Sequence, residues 1–353
     1  MSRYLSDNYQ TLEVYTPGEQ PRDMQYVKLN TNESPYSPAP GVLEAVTAEA
    51  GRLQLYSDPV CAELRDALAK RYGVGRENVF VSNGSDDILN FAFMVFAGNG
   101  VPAYFPDISY GFYKVFAELH GVDYRRIPLR QDFSIDPADY MGLDGLIAIA
   151  NPNAPTGMAL SVGQIEEIIR SNPDRVVLID EAYVDFGAQS CAFLTSKYDN
   201  LLVVQTFSKS RSMAGARLGF AIASQGLIAD LDRIKYSTNP YNVNRMTLAA
   251  GVATLADDDY STANCQKVIA TREASAKRFE AMGFEVLPSK ANFLFVRRPG
   301  TDGGMLYREL KRRGVLVRHF DAPRISDHLR VTIGTPEQMD VLFKKLEEIL
   351  NNR

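Results

Sequence analysis

Four short runs of Val, Ile and Leu constrain the chain most, because each stops abruptly at polar or glycine-rich residues. NVFVSNGSDD (78–87) reads as a strand, a tight turn and then a helix continuing through ILNFAFMVFA. GLIAIANPNAPTG (145–157) runs a strand into a proline-rich loop, and RVVLIDEAY (175–183) and LLVVQTFSKS (201–210) repeat the design. Helix-like stretches such as SVGQIEEIIRSN lie between them. Continuous apolar strands alternating with helices indicate a mostly parallel sheet covered on both faces. Beyond residue 250 the texture changes to a long helix through QKVIATREASAKRFEAMG, the strand-like FEVLPS, NFLFVRR, VLVRHF and LRVTIGT, and the helices MLYRELKRRG and EQMDVLFKKLEEIL. The expected organisation is α/β: a large domain over 28–250 with a mostly parallel sheet flanked by helices, and a smaller α+β domain from 1–27 and 251–353 that includes an N-terminal arm.

In open α/β sheets, ligands gather outside the carboxyl ends of the strands. The strands named here deliver Gly84, Ser85 and Asp86, Asn151 and Asn153, Asp180 and Tyr183, and Ser208 and Lys209 to that edge. One buried site built from four strand ends is the economical reading. A lone Asp180 would ordinarily be a helix cap or half of a salt bridge. A desolvated carboxylate must be paired with a cation or neutralised, and a cationic ring nitrogen of a bound cofactor would serve. Gly-Ser-Asp is ordinary turn chemistry, yet it also opens a helix whose free N–H groups can hold a phosphate. Lys209 lacks the preceding GxxxxGK[ST] loop of a phosphate-binding P-loop. At a strand's carboxyl end, among small residues, desolvation can lower a lysine's pKa and make it a Schiff-base nucleophile. Ser208 and Arg217 would add a hydroxyl and a guanidinium to the same phosphate. Arg318 and Arg330 end short strands of the second domain, either as surface charges or as a clamp for a carboxylate or phosphate. Tyr110 could stack on a flat cofactor, or simply fill the core.

Composition removes several alternatives. A formal net charge of -5 argues against nucleic acid or an anionic membrane as the main partner. No apolar run reaches the ~20 residues needed to span a bilayer, and MSRYLSDNYQTLEVYTPGEQ lacks the apolar core of a signal peptide. A cytoplasmic protein is expected. Cys61, Cys191 and Cys265 lie far apart, and His120, His319 and His328 have no metal-ligand spacing, so neither a disulfide framework nor a metal site is expected.

NPNAPTG, then DEAY, then SKSRSMAGARLGF with Lys209 29 residues after Asp180, resembles the fold-type I, pyridoxal-phosphate-dependent aminotransferases of class I/II along essentially the whole chain. Within that family YTPGEQ, LNTNESPYSP, LYSDP, SNGSDDIL and GVLVR followed by LRVTIGT look most like the histidine-biosynthesis branch that acts on histidinol phosphate. The resemblance implies that Lys209 forms a Schiff base with pyridoxal 5'-phosphate and then shuttles a proton. Asp180 would keep the pyridine nitrogen protonated. Tyr183 and an asparagine of NPNAPTG would hydrogen-bond the ring oxygen, Tyr110 would stack on the ring, and Gly84, Ser85, Asp86, Ser208 and Arg217 would surround the phosphate. The family often reads NPNNPTG, whereas position 154 is Ala here, so Asn153 becomes the candidate for the ring oxygen. Tyr56 of LYSDP would reach a partner subunit's phosphate, implying a homodimer. Substrate anions would meet Arg330, Arg318 and Tyr15, with Asn30 and Asn32 lining an imidazole pocket. The alternatives sharing these motifs are an aromatic amino acid aminotransferase and a threonine-phosphate decarboxylase. A non-enzymatic ligand domain of a regulator is disfavoured by the absence of an appended DNA-binding domain.

Overall fold

A computed structural model describes residues 2–10 and 12–351. Taken in chain order, the first half carries β1 (Val27–Lys28), α1 (Pro40–Ala50), α2 (Ala62–Tyr72), β2 (Val79–Ser82), α3 (Ser85–Phe96), β3 (Ala103–Pro106), α4 (Phe112–Leu119) and β4 (Tyr124–Ile127). It continues with β5 (Leu146–Ala150), α5 (Val162–Ser171), β6 (Val177–Asp180), β7 (Leu201–Thr206) and β8 (Gly219–Ala223). The helices α6 (Gln225–Thr238), α7 (Arg245–Ala256) and α8 (Asp258–Ala281) lead to β9 (Glu285–Val286), β10 (Phe293–Arg297) and α9 (Gly303–Arg312). The chain closes with β11 (Val315–Leu316), β12 (Arg318–His319), β13 (His328–Thr332) and α10 (Pro336–Asn351).

Seven strands form one sheet in the order β2-β8-β7-β6-β5-β3-β4, parallel throughout except for β8, which runs antiparallel to both neighbours. That antiparallel strand was not anticipated, since GFAIA directly follows the SKSRSMAGARL loop with no helix between. The alternation of side chains along a strand sends Ile147, Ile149, Val177, Ile179, Leu201 and Val203 into one apolar cluster and Ala148, Ala150, Leu178, Leu202 and Val204 into the other. Both faces are therefore dry, which is why the strands read as unbroken apolar runs. α5 carries an ordinary start signal: the Ser161 side chain accepts from Gln164 N while the Gln164 side chain accepts from Ser161 N, a capping box.

A second, antiparallel sheet runs β12-β13-β10-β9, backed by its own cluster of Leu294, Val296, Leu329, Val331, Leu342 and Phe343. VLVRHF, expected as one strand, is split between two sheets. Val315 and Leu316 pair with Val27 and Lys28, whereas Arg318 and His319 pair with β13. The arm segment before residue 30 thus borrows one half of the run and leaves the other facing β13. Leu202 is fully buried between β6 and β8. Leu202→Ala should cost about 2–5 kcal/mol, read as a lower urea midpoint with an unchanged m-value.

Candidate active site

The carboxyl edge of the seven-stranded sheet brings the expected residues together. β2 ends in a turn at Gly84, whose φ of +84° suits glycine and whose Cβ position is taken by the Arg217 guanidinium. No side chain caps the start of α3 after it, so its first turn presents N–H groups suited to an anion. Opposite, a Cβ on Gly219 would lie 2.4 Å from the Gly84 carbonyl carbon and from the Ser85 nitrogen, so β8 presses backbone directly against this turn. Arg217 donates to Ser208 Oγ at 3.2 Å and to Asp86 Oδ2 at 2.9 Å, and the Tyr110 hydroxyl donates to Asp86 Oδ1 at 2.6 Å.

Asp180 ends β6 and is buried. Its Oδ2 accepts from the Tyr113 hydroxyl at 3.0 Å and its Oδ1 from Ala182 N at 3.1 Å. Among the described residues no cation pairs with it. Burial, with Asp86 adding to it, raises its pKa to about 6 despite those two hydrogen bonds. Lys209 follows β7, and its ammonium faces the cavity, donating to the Thr31 carbonyl at 3.3 Å. Burial first, and then the positive Arg330, lower its pKa to about 8. Tyr183 stands edge-on against Phe293 and accepts from Asn32 Nδ2 at 3.0 Å. Burial raises its pKa, opposed by Arg330 and Asn32.

The cavity enclosed by Ser85, Tyr110, Ala154, Asp180, Tyr183, Ser208, Lys209 and Arg217 opens onto an outer cleft of about 360 Å³. Tyr15, Asn30, Arg318, Phe320 and Arg330 line that cleft. Arg318 and Arg330 are direct cross-strand partners of β12 and β13, so their side chains share one face. Phe320 packs against both guanidiniums, at 5.5 and 5.6 Å. Arg318 donates to the Thr16 and Pro17 carbonyls and Arg330 to the Asn30 carbonyl, leaving Arg330 Nε buried without a partner. Asn30 donates to the Glu19 carbonyl and keeps a buried, unpartnered Oδ1. Tyr15 stacks on Phe112 at 4.2 Å beside these groups.

One expectation changes. Asn153 does not face the cavity. Its Nδ2 donates to the Ile108 carbonyl and to Thr156 Oγ1, and its Oδ1 accepts from Ser109, so its amide is consumed in holding the loop, while the Ala154 methyl faces the cavity instead. Asn32 lines the outer cleft beside Asn30, as expected, and its Nδ2 donates to Tyr183. Tyr56 is exposed and stacked on Tyr241 at 4.5 Å, away from the cavity of its own chain. Sequence reasoning missed Tyr113, the partner of Asp180, because only the assembled sheet brings α4 to the end of β6.

The arrangement fits a flat phosphorylated ring carrying a basic nitrogen and an aldehyde. The turn, Ser208 and Arg217 suit the phosphate, the unpaired Asp180 suits the ring nitrogen, and Lys209 suits the aldehyde. The profile of the family described as aminotransferase class I and II matches residues 24–346. The chain belongs to the class I and II aminotransferases. This aminotransferase is 51% identical over 353 residues to a histidinol-phosphate aminotransferase of Marinomonas sp. (strain MWYL1), covering 99% of this chain and all of that one. It is 49% identical to that of Brachyspira hyodysenteriae, over the full length of both. Among solved structures, the histidinol-phosphate aminotransferase of Sinorhizobium meliloti in complex with pyridoxal-5'-phosphate shares its fold with a TM-score of 0.89 at 24% identity, covering 100% of this chain and 99% of that one. The L-threonine-O-3-phosphate decarboxylase of Porphyromonas gingivalis does so at 0.80 and 21%, over 92% of this chain and 99% of that one.

A lysine with its pKa lowered to about 8 is neutral in a larger fraction at neutral pH than a solvated one. In cofactor-free protein, the rate of covalent pyridoxal phosphate capture at Lys209 should rise with pH around a midpoint near 8. Arg330→Gln should move that midpoint upward, because it removes a positive charge that disfavours the ammonium. Gly219→Ala should weaken phosphate-end binding and lower the Tm, since its Cβ must push the Gly84–Ser85 backbone aside.

Proposed function

We propose that this aminotransferase transfers the amino group of histidinol phosphate to 2-oxoglutarate, giving imidazole-acetol phosphate and glutamate, reversibly, as a step of histidine biosynthesis. The observation that carries the reading is the Arg318–Arg330 pair. Like charges directly opposite across two strands repel, and among the described residues neither guanidinium has a carboxylate partner. An incoming anion relieves that repulsion. A pair of forks serves a carboxylate of glutamate in one half-reaction and the phosphate of histidinol phosphate in the other. The names borne by relatives about half identical over the full chain support the same substrate. The decarboxylase alternative is supported by fold alone.

Pyridoxal phosphate, when bound, supplies an electron sink for the charge left on substrate carbon as a proton departs. The chain's residues do the rest. Asp180, buried and paired with no cation among the described residues, would hold a proton on the ring nitrogen. Lys209 would hold the cofactor at its aldehyde, and its Nζ, when free and neutral, would take a proton from the substrate and return it elsewhere. Its lowered pKa keeps a neutral fraction ready for that transfer. Arg330 and Arg318 orient the substrate so that the proton to be lost faces Lys209. Ser85, Ser208 and Arg217 would hold the phosphate end, and Tyr110 would cover the ring.

The division into a large unit over 28–250 and a smaller unit from 1–27 and 251–353 fits the two sheets and their separate apolar clusters. A homodimer is supported by the solvent-facing Tyr56, which is 79% exposed and would reach a partner's phosphate end. No helix among the described residues is long and apolar enough to cross a membrane, which accords with a cytoplasmic setting.

The test is kcat/KM for histidinol phosphate against phenylalanine, with 2-oxoglutarate as acceptor. Histidinol phosphate should be preferred; a strong preference for phenylalanine overturns the substrate while leaving the chemistry intact. CO2 released without 2-oxoglutarate would identify the decarboxylase instead. Lys209→Ala should abolish turnover. Arg330→Lys should raise KM for histidinol phosphate and glutamate about 10- to 100-fold, the equivalent of the ~1.5–3 kcal/mol of a charge-assisted hydrogen bond.

A further inference from the structure

Tyr183 lines both the cavity and the outer cleft, and the direction of its hydrogen bonding is set by Asn32 and, behind it, Thr332. The Asn32 backbone N–H donates to Thr332 Oγ1 at 3.0 Å, and the Thr332 hydroxyl donates to Asn32 Oδ1 at 2.9 Å. An amide oxygen can only accept and an amide nitrogen can only donate. Thr332 therefore fixes which way the Asn32 amide is turned, and Nδ2 is the end that meets the Tyr183 oxygen, at 3.0 Å. The phenol accepts in this contact, so its own hydrogen is not spent on Asn32. Asn32 is 1% exposed, which leaves no bulk water to substitute for it. Its backbone is left-handed (φ 56°), a conformation that Asn, Asp and Gly adopt more readily than other residues.

The neighbouring wall offers no amide to share the task. Ala154 presents a methyl, and the Asn153 amide is committed to Ile108, Thr156 and Ser109. We infer that Asn32 is a positioning residue: by donating to the Tyr183 oxygen, with Thr332 holding its amide in that orientation, it reserves the Tyr183 hydrogen for the ring oxygen of bound pyridoxal phosphate. The inference rests on the reading of this cavity as the pyridoxal phosphate site. A phenol that accepts a hydrogen bond is also polarised into a stronger donor. A hydrogen donated to the ring oxygen spreads that oxygen's negative charge. The proton on the adjoining Lys209 nitrogen is then held less tightly. Asn32, which need not touch the cofactor, thereby sets the pH at which Lys209 Nζ loses its proton in the holoenzyme.

The experiment is a spectroscopic pH titration of the holoenzyme, following the visible absorbance of the bound cofactor. Asn32→Gly keeps the left-handed backbone and deletes the amide, and it should raise the midpoint by roughly half a unit to one unit. Thr332→Val, a near-isosteric change on a buried strand, frees the amide to turn and should raise the midpoint by a smaller amount. Neither change should shift the midpoint further in a Tyr183→Phe background. An unmoved midpoint in Asn32→Gly and Thr332→Val, or a shift that persists undiminished in Tyr183→Phe, overturns the inference. Wild-type protein that takes up no pyridoxal phosphate would instead overturn the cofactor reading on which it rests.

Discussion

Asp180 carries its carboxyl into the interior with no cation among the described residues to pair with it. Such a group is costly, and the surroundings reduce the cost only partly, through the Tyr113 hydroxyl and the Ala182 N–H. The remainder of the site is arranged around that unmet charge. The sheet must be dry on both faces to desolvate it, and α4 must cross the end of β6 to bring Tyr113. Lys209, one strand over, must stay far enough away to remain a nucleophile rather than become a salt-bridge partner. A protonated ring nitrogen would complete the arrangement, which would make cofactor binding and the satisfaction of Asp180 one event.

The strand ends were legible because doubly covered strands advertise themselves as unbroken apolar runs, and the polar residues that interrupt them could belong only to an edge. Asp180, Tyr183, Ser208, Lys209 and Arg217 follow from that rule together with the resemblance. What was not legible depends on distances between segments remote in sequence. Asn153 looked available until the fold showed its amide holding Ile108 and Thr156 in place. Arg318 and Arg330 looked like two separate strand-end arginines, and only the register of β12 on β13 makes them direct neighbours. The antiparallel β8 left no mark in periodicity, because a strand buried on both faces reads the same in either direction.

Three consecutive residues link the two sheets. Asn30 receives Arg330 on its carbonyl, Thr31 receives Lys209 on its carbonyl, and Asn32 donates to Tyr183. The backbone N–H of Thr332 closes onto the Leu29 carbonyl just before them. Arg330, Lys209 and Tyr183 are thus spaced by a single short stretch of backbone. The spacing is kept by peptide geometry, which side-chain motion cannot alter. The N-terminal arm that precedes it contributes to the same clamp through the Thr16 and Pro17 carbonyls.

The contact of Gly219 with the Gly84–Ser85 backbone has a consequence for how this chain can vary. The anion cup is cast by one main chain pressed against another, with the glycines as the mould line. The side chain at position 83 can therefore change without altering the shape of the cup, whereas the two glycines are bound to one another as a unit. Variation in this chain should be frozen at two positions that carry no side chain at all, as firmly as at the residues whose side chains face the cavity.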